Sequence, residues 1–124
     1  MIKFQNIQEV PASHEDAKDP AVIKRVLIDV KSHLQGAIQM INWAILFPRK
    51  AFQAHYHEDM YEIYVIIKGS PVISIDNKKT TLYDGDAVII EPKEVHEMYN
   101  PTDHPIPYIV IGISGGNQGK SVNV

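Results

Sequence analysis

From residue 21 to residue 114 the chain is a succession of short, β-rich apolar stretches cut by turn signals about every eight to twelve residues, and no stretch carries helix caps. The stretches are VIKRVLIDV, AIQMINWAILF, MYEIYVII, PVISID, TTLYDG, DAVIIEP, VHEMYN and PIPYIVIGIS. KSHLQG makes a turn-rich break between the first two. PVISID and TTLYDG flank NKK, an Asn-containing hairpin turn. About ten short strands without a helix predict an all-β sandwich or barrel. At 124 residues the chain suits one domain with a proper core. Residues 1–20 open with a strand-like piece at 1–4 and continue as a polar arm broken by Pro11 and Pro20. Residues 21–113 form the barrel, and 114–124, rich in glycine and polar residues, form a flexible tail.

Within this series, HYHEDMYEIYVIIKG from His55 to Gly69 carries a distinct chemistry. Side chains alternate faces along a strand, so His55 and His57 point the same way, about 7 Å apart along the backbone, and can grip one metal ion. Glu62 follows five residues after His57, far enough for a bend to bring its carboxylate to the same centre from another angle. His96 follows a Gly85-Asp86 turn and an apolar strand, from which it can supply a fourth ligand. An H-x-H pair alone is a common accident. Four ligand-type residues on inward faces of adjacent strands are not, because a buried His or Glu without a partner costs several kcal/mol. The chain has no cysteine, so a metal must be held by nitrogen and oxygen. Three imidazoles and a carboxylate suit Mn(II), Fe(II), Ni(II), Co(II) or Zn(II). Any open coordination position would let the ion polarise a carbonyl, acidify a bound water or hold an enediolate. His14, His33 and His104 lie in loop-like sequence and read as solvated surface residues.

His55, His57, Glu62 and Gly69 fall at the spacing H-x-H-x4-E-x6-G, and Gly85, His96 and Asn100 at G-x10-H-x3-N. In these two motifs the chain resembles the small single-domain cupins of the conserved-barrel superfamily, over roughly residues 20–113. The resemblance implies a double-stranded β-helix, or jelly-roll, barrel. The proline and glycine usual in the second motif are replaced by Glu91 and Lys93, which predicts a looser turn before an undisplaced His96. Cupins with this ligand set include oxalate-degrading enzymes, dioxygenases, sugar-phosphate isomerases and ligand sensors, so the resemblance does not choose a reaction.

Strand alternation also nominates a substrate cavity: Tyr64 beside the first ligands, Met98 and Asn100 beyond His96, and Met40 and Asn42 with Ala44 on the preceding strand, which turns Trp43 outward. Tyr64 is the candidate catalytic acid or base, with Glu91 as the other nearby group. The reading is a metal-dependent enzyme acting on a small oxygenated substrate, a keto acid, dicarboxylate or sugar acid, by decarboxylase, isomerase or dioxygenase chemistry. The alternatives are a non-catalytic small-ligand module and a barrel merely stapled by its metal. With 12 basic against 15 acidic residues and no long run of like charge, neither nucleic acid nor a membrane surface is an expected partner. MIKFQNIQEV lacks the apolar core of a signal peptide and no apolar run approaches a membrane span, so the expected location is cytoplasmic. Open sheet edges, and the habit of similar small cupins, predict a homodimer.

Overall fold

The structure, a computed structural model, describes residues 2–13, 15–28, 37–114 and 121–124. Among the described residues eleven strands run β1 Val10–Pro11, β2 Val22–Val26, β3 Ile38–Leu46, β4 His55–His57, β5 Met60–Ile66, β6 Val72–Ile75, β7 Lys78–Thr81, β8 Ala87–Ile90, β9 His96–Tyr99, β10 Ile106–Ser114 and β11 Ser121–Asn123. They form a six-stranded sheet in the order β1-β2-β3-β10-β5-β8 and a five-stranded sheet in the order β11-β4-β9-β6-β7, with antiparallel pairing throughout. This is the expected jelly-roll barrel. No helix among the described residues is long and apolar enough to cross a membrane.

Alternation builds the interior. Along β10 every second residue from Ile106 to Ser114 is buried, and β5 buries Met60, Glu62, Tyr64 and Ile66 in the same way. Leu46, Phe52, Ile66, Ile73, Ile90, Met98 and Ile106 make the densest part of the core. Among the described residues most buried polar side chains belong to the ligand cluster or hydrogen-bond locally, as Asn100 and Ser114 do; Asn42, whose Oδ1 lacks a partner, is the exception. The β6–β7 hairpin turns on Asp76 (φ 48°) and Asn77 (φ 69°), two consecutive left-handed residues of the kind a tight two-residue turn requires.

Two terminal expectations differ. Residues 2–4 are not a strand: Phe4–Asn6 is a 3-10 turn. Its Phe4 ring packs edge-on against the outward-facing Trp43 at 5.1 Å, and the Arg25 guanidinium lies 4.1 Å over the same ring. The arm's short strand comes later, with Val10 and Pro11 pairing with Lys24 and Ile23. Local β propensity in residues 2–4 loses to an aromatic contact on the sheet's outer surface. At the other end, where the composition suggests a loose tail, Ser121–Asn123 add to the five-stranded sheet as β11, opposite His57, Tyr56 and His55. The edge of β4 needs a partner, and backbone pairing supplies one regardless of side-chain polarity. The KSHLQG break lies outside the described residues, as do His14 and His33; β2 ends at Val26.

Candidate metal centre

The short strand β4 holds His55 and His57 on the inner face of the five-stranded sheet, and β9 lies beside it with His96 directly opposite His55. Residues 58 and 59 then bend the chain, and β5 continues in the other sheet. Glu62 therefore reaches the same centre from across the barrel, which is why the ligand spacing lengthens from two residues to five. The four residues are at most 4% exposed, and their donor atoms all lie within 4.8 Å of one another.

The outer partners of the imidazoles decide how the rings present themselves. His55 Nδ1 donates to the Gln53 carbonyl at 2.8 Å and His96 Nδ1 donates to the Glu94 carbonyl at 3.0 Å. A carbonyl only accepts, so Nδ1 carries the proton in both rings and Nε2 is the nitrogen that can bind an ion. His57 Nδ1 lies 3.1 Å from the Ser121 hydroxyl of β11, so the C-terminal strand orients one ligand. Glu62 Oε1 stands 2.8 Å from His57 Nε2 and 2.9 Å from His96 Nε2. For His96 in its neutral form this sets a nitrogen lone pair against a carboxylate lone pair, an arrangement that a cation between them makes attractive. The donor set thus fits a divalent ion. Without the ion the same contacts require protons. Burial alone would raise the Glu62 carboxyl's pKa, but the contacts from His57 and His96 outweigh it and hold the group well below the usual carboxylate range.

Tyr64 donates to Glu62 Oε1 at 3.3 Å, and burial next to that carboxylate pushes its phenol far above its ordinary value. It keeps its proton at any physiological pH. Phe52 braces the cluster from the core side, its ring 5.4 Å from His55 and 6.1 Å from His96.

Beside the cluster lies a cavity of about 70 Å³ lined by Met40, Asn42 and Ala44 of β3, Tyr64 of β5, Tyr108 and Val110 of β10, and His55, His57 and Glu62 themselves. Met98 and Asn100 are not among the lining residues. Met98 is wholly buried in the core opposite Ile73. Asn100 donates to the carbonyls of Leu46 and His104 and accepts from the backbone N–H and hydroxyl of Thr102, so its amide organises a loop. Both have their side chains on the inner face, but further along the barrel than His96. Glu91 is exposed and outside the cavity. The turn before His96 is not loose: Lys93 adopts φ 69° where the motif usually has glycine, and its N–H donates to the His57 carbonyl at 2.7 Å. Sequence reasoning passed over Ser13, Lys24, Tyr108 and Ser121, all of which line the cavity. None of the four left an unambiguous signal: Lys24 is spaced two residues from Val22, but its neighbour Arg25 could equally have faced inward.

Residues 43–112 match the cupin domain family. An uncharacterised protein of Methanocaldococcus jannaschii is 29% identical over 89 residues, which make up 72% of this chain and 70% of that protein. Among solved structures, a predicted oxalate decarboxylase from Thermotoga maritima superimposes with a TM-score of 0.80 at 20% identity, covering 92% of this chain and 98% of that one. A sugar phosphate isomerase of the cupin superfamily from Silicibacter pomeroyi gives 0.75 at 18% identity, covering 91% of this chain and 74% of that one. At these identities the structural likeness establishes the fold alone.

Proposed function

The chain belongs to the cupin family, and on that footing we propose that it is a metal-dependent enzyme acting on a small oxygenated substrate, in the range of keto acids, dicarboxylates and sugar acids. The observation that carries this reading is a buried three-histidine, one-glutamate cluster opening directly into a small cavity. His55, His57, Glu62 and His96 would hold one divalent ion, of manganese, iron, nickel, cobalt or zinc. When bound, the ion supplies Lewis-acid polarisation of a substrate oxygen. The protein's own residues do the rest. The carbonyls of Gln53 and Glu94 and the Ser121 hydroxyl fix the imidazoles. Ala44 and Val110 give the cavity an apolar wall, and the protonated Tyr64 phenol, our candidate catalytic residue, donates toward developing negative charge. The likeness in fold to a predicted oxalate decarboxylase and to a sugar phosphate isomerase is compatible with this range.

One observation favours the rival reading, a non-catalytic small-ligand module. Tyr64 and Tyr108 are both pushed above the ordinary tyrosine range by burial, so neither phenol can serve as a general base. Turnover separates the two. Protein loaded in turn with each of the five metals is incubated with a panel of 2-oxo acids, dicarboxylates and sugar acids, and products are followed by NMR. We expect turnover with at least one metal, abolished by chelator and reduced about 100-fold or more in Tyr64→Phe. Ligand-induced thermal shifts with no turnover under any metal would transfer the assignment to the binding module.

We further propose a homodimer formed through the outer face of the six-stranded sheet. One cross-strand row there reads Ile41, Ile111, Ile63, Ile89 and the next Trp43, Ile109, Val65, Ala87, where a solvated sheet would carry polar residues. Phe4 of the arm packs on its Trp43 end. Light scattering should give twice the 14.0 kDa mass of one chain, and Ile111→Glu should halve it; a monomeric natural chain sinks the proposal.

A further inference from the structure

The cavity beside the ligand cluster has a second polar end that the metal reading does not use. Lys24 of β2 points inward between Val22 and Val26 and lines the cavity with Ser13 of the arm. Its ammonium makes a 3.3 Å hydrogen bond to the Ser13 hydroxyl, and among the described residues it has no carboxylate partner. By contrast, Arg25, Arg49 and Lys50 each pair with an acid on the protein's exterior. Desolvation lowers the Lys24 pKa, the mark of a cation drawn out of water without an anion to offset the cost. Between this end and Glu62 the sheet interposes two strands, β3 and β10. Their inward residues Asn42, Ala44, Tyr108 and Val110 floor the space. Asn42 is 6% exposed and its Oδ1 has no hydrogen-bond partner among the described residues; its Nδ2 reaches only the Met40 sulfur at 3.5 Å. A buried amide oxygen in that state calls for a donor from a ligand.

We propose that Lys24, with Ser13, binds the carboxylate of the substrate, and that Asn42 accepts a hydrogen bond from a substrate hydroxyl, so that the cavity selects a small hydroxy acid held between Lys24 and the metal ligands. This rests on the metal-enzyme reading for the far end of the cavity but not for the Lys24 end. The space of about 70 Å³ is on the order of five water-sized positions, which restricts the ligand to about two to four carbons. An ammonium is a compact point charge able to hold a carboxylate from several directions, and charge-assisted hydrogen bonds in a partly desolvated site are the strong ones.

The test is calorimetric binding of glycerate, and of glycerol as its uncharged counterpart, to the full chain with and without bound manganese. The natural chain should bind glycerate well above glycerol. Lys24→Met should weaken glycerate about 10- to 100-fold while leaving glycerol binding, metal content and Tm unchanged, and Lys24→Arg should recover part of the loss. Asn42→Leu should narrow the preference for glycerate over propionate. Equal glycerate affinity in the natural chain and Lys24→Met, or a natural chain that binds glycerol as well as glycerate, would overturn the assignment. If the chain takes up no metal yet still binds glycerate through Lys24, the anion subsite stands and the metal-enzyme reading fails.

Discussion

The His57→Ala protein will purify folded but with less than about a tenth of the divalent metal carried by the natural chain, an affinity loss of more than about 100-fold. His57 is one of only two donors that β4 supplies, and its Nε2 lies 2.8 Å from Glu62 Oε1. The remaining ligands, His55, His96 and Glu62, are fixed by Gln53, Glu94 and the β5 backbone, so they cannot swing to close the gap. The fold should persist because His57 faces the cavity and lies outside the apolar core cluster. Truncation also leaves the buried Glu62 carboxylate with one donor fewer, which costs about 1–3 kcal/mol and lowers Tm moderately. Metal stoichiometry by elemental analysis, with circular dichroism to confirm the β-sheet signal, checks both parts. An unchanged metal content in folded His57→Ala protein would remove His57 from the site.

Gly69→Ala will lower Tm by about 8–15 °C, whereas Gly85→Ala will lower it by only about a third as much. Both glycines have positive φ, +116° and +81°, which a residue with a Cβ adopts at a cost. They differ in what that Cβ would meet. At Gly69 it would come 2.7 Å from Ile106 Cγ1 and 3.3 Å from Cδ1, and Ile106 is fully buried in the core, so something must shift. At Gly85 nothing lies within 4 Å. Backbone strain of about 1 kcal/mol applies at both positions, and overpacking adds about 1–3 kcal/mol at Gly69 alone. The Gly69 N–H also donates to Asp84 Oδ1 at 2.7 Å, and the Gly85 N–H to the Ile66 carbonyl at 2.7 Å, so these turns clasp the β5 and β8 ends together. Thermal unfolding of the two variants side by side decides it: equal, small shifts would mean that the Gly69 turn relaxes without disturbing Ile106.

The ligand cluster was legible in the chain because three of its members need only face alternation and one bend, all within eight residues, and His96 follows its own turn and strand. The all-β architecture was legible for the same reason: period-two patterning survives whatever the strands pair with. Alternation reports the face of a strand and not the depth along the barrel, so Met98 and Asn100 have the right face and the wrong layer. Contacts made across long stretches of chain left no local trace. Phe4 finds Trp43, 39 positions away, and Ser121 finds His57, 64 positions away; neither neighbour can be inferred from the residues around it. Lys24 was ambiguous in another way. In Ile23-Lys24-Arg25 either basic residue could have faced inward, and only the pairing of Lys24 with Ala44, whose side chain lines the cavity, fixes which one does. Lys93 shows that a turn can persist without its usual glycine when two backbone hydrogen bonds hold it, one from Lys93 to His57 and one from Glu94 to the Glu91 carbonyl.

The most direct measurement is elemental analysis of the natural chain purified without chelator or affinity metal. Convergence of His55, His57, Glu62 and His96 on one centre predicts close to one first-row divalent ion per chain, lost on dialysis against chelator and regained when the metal is supplied again. Substoichiometric metal that cannot be raised by incubation with any of manganese, iron, nickel, cobalt or zinc would contradict it, and would leave the cluster as a buried, proton-bridged hydrogen-bond network.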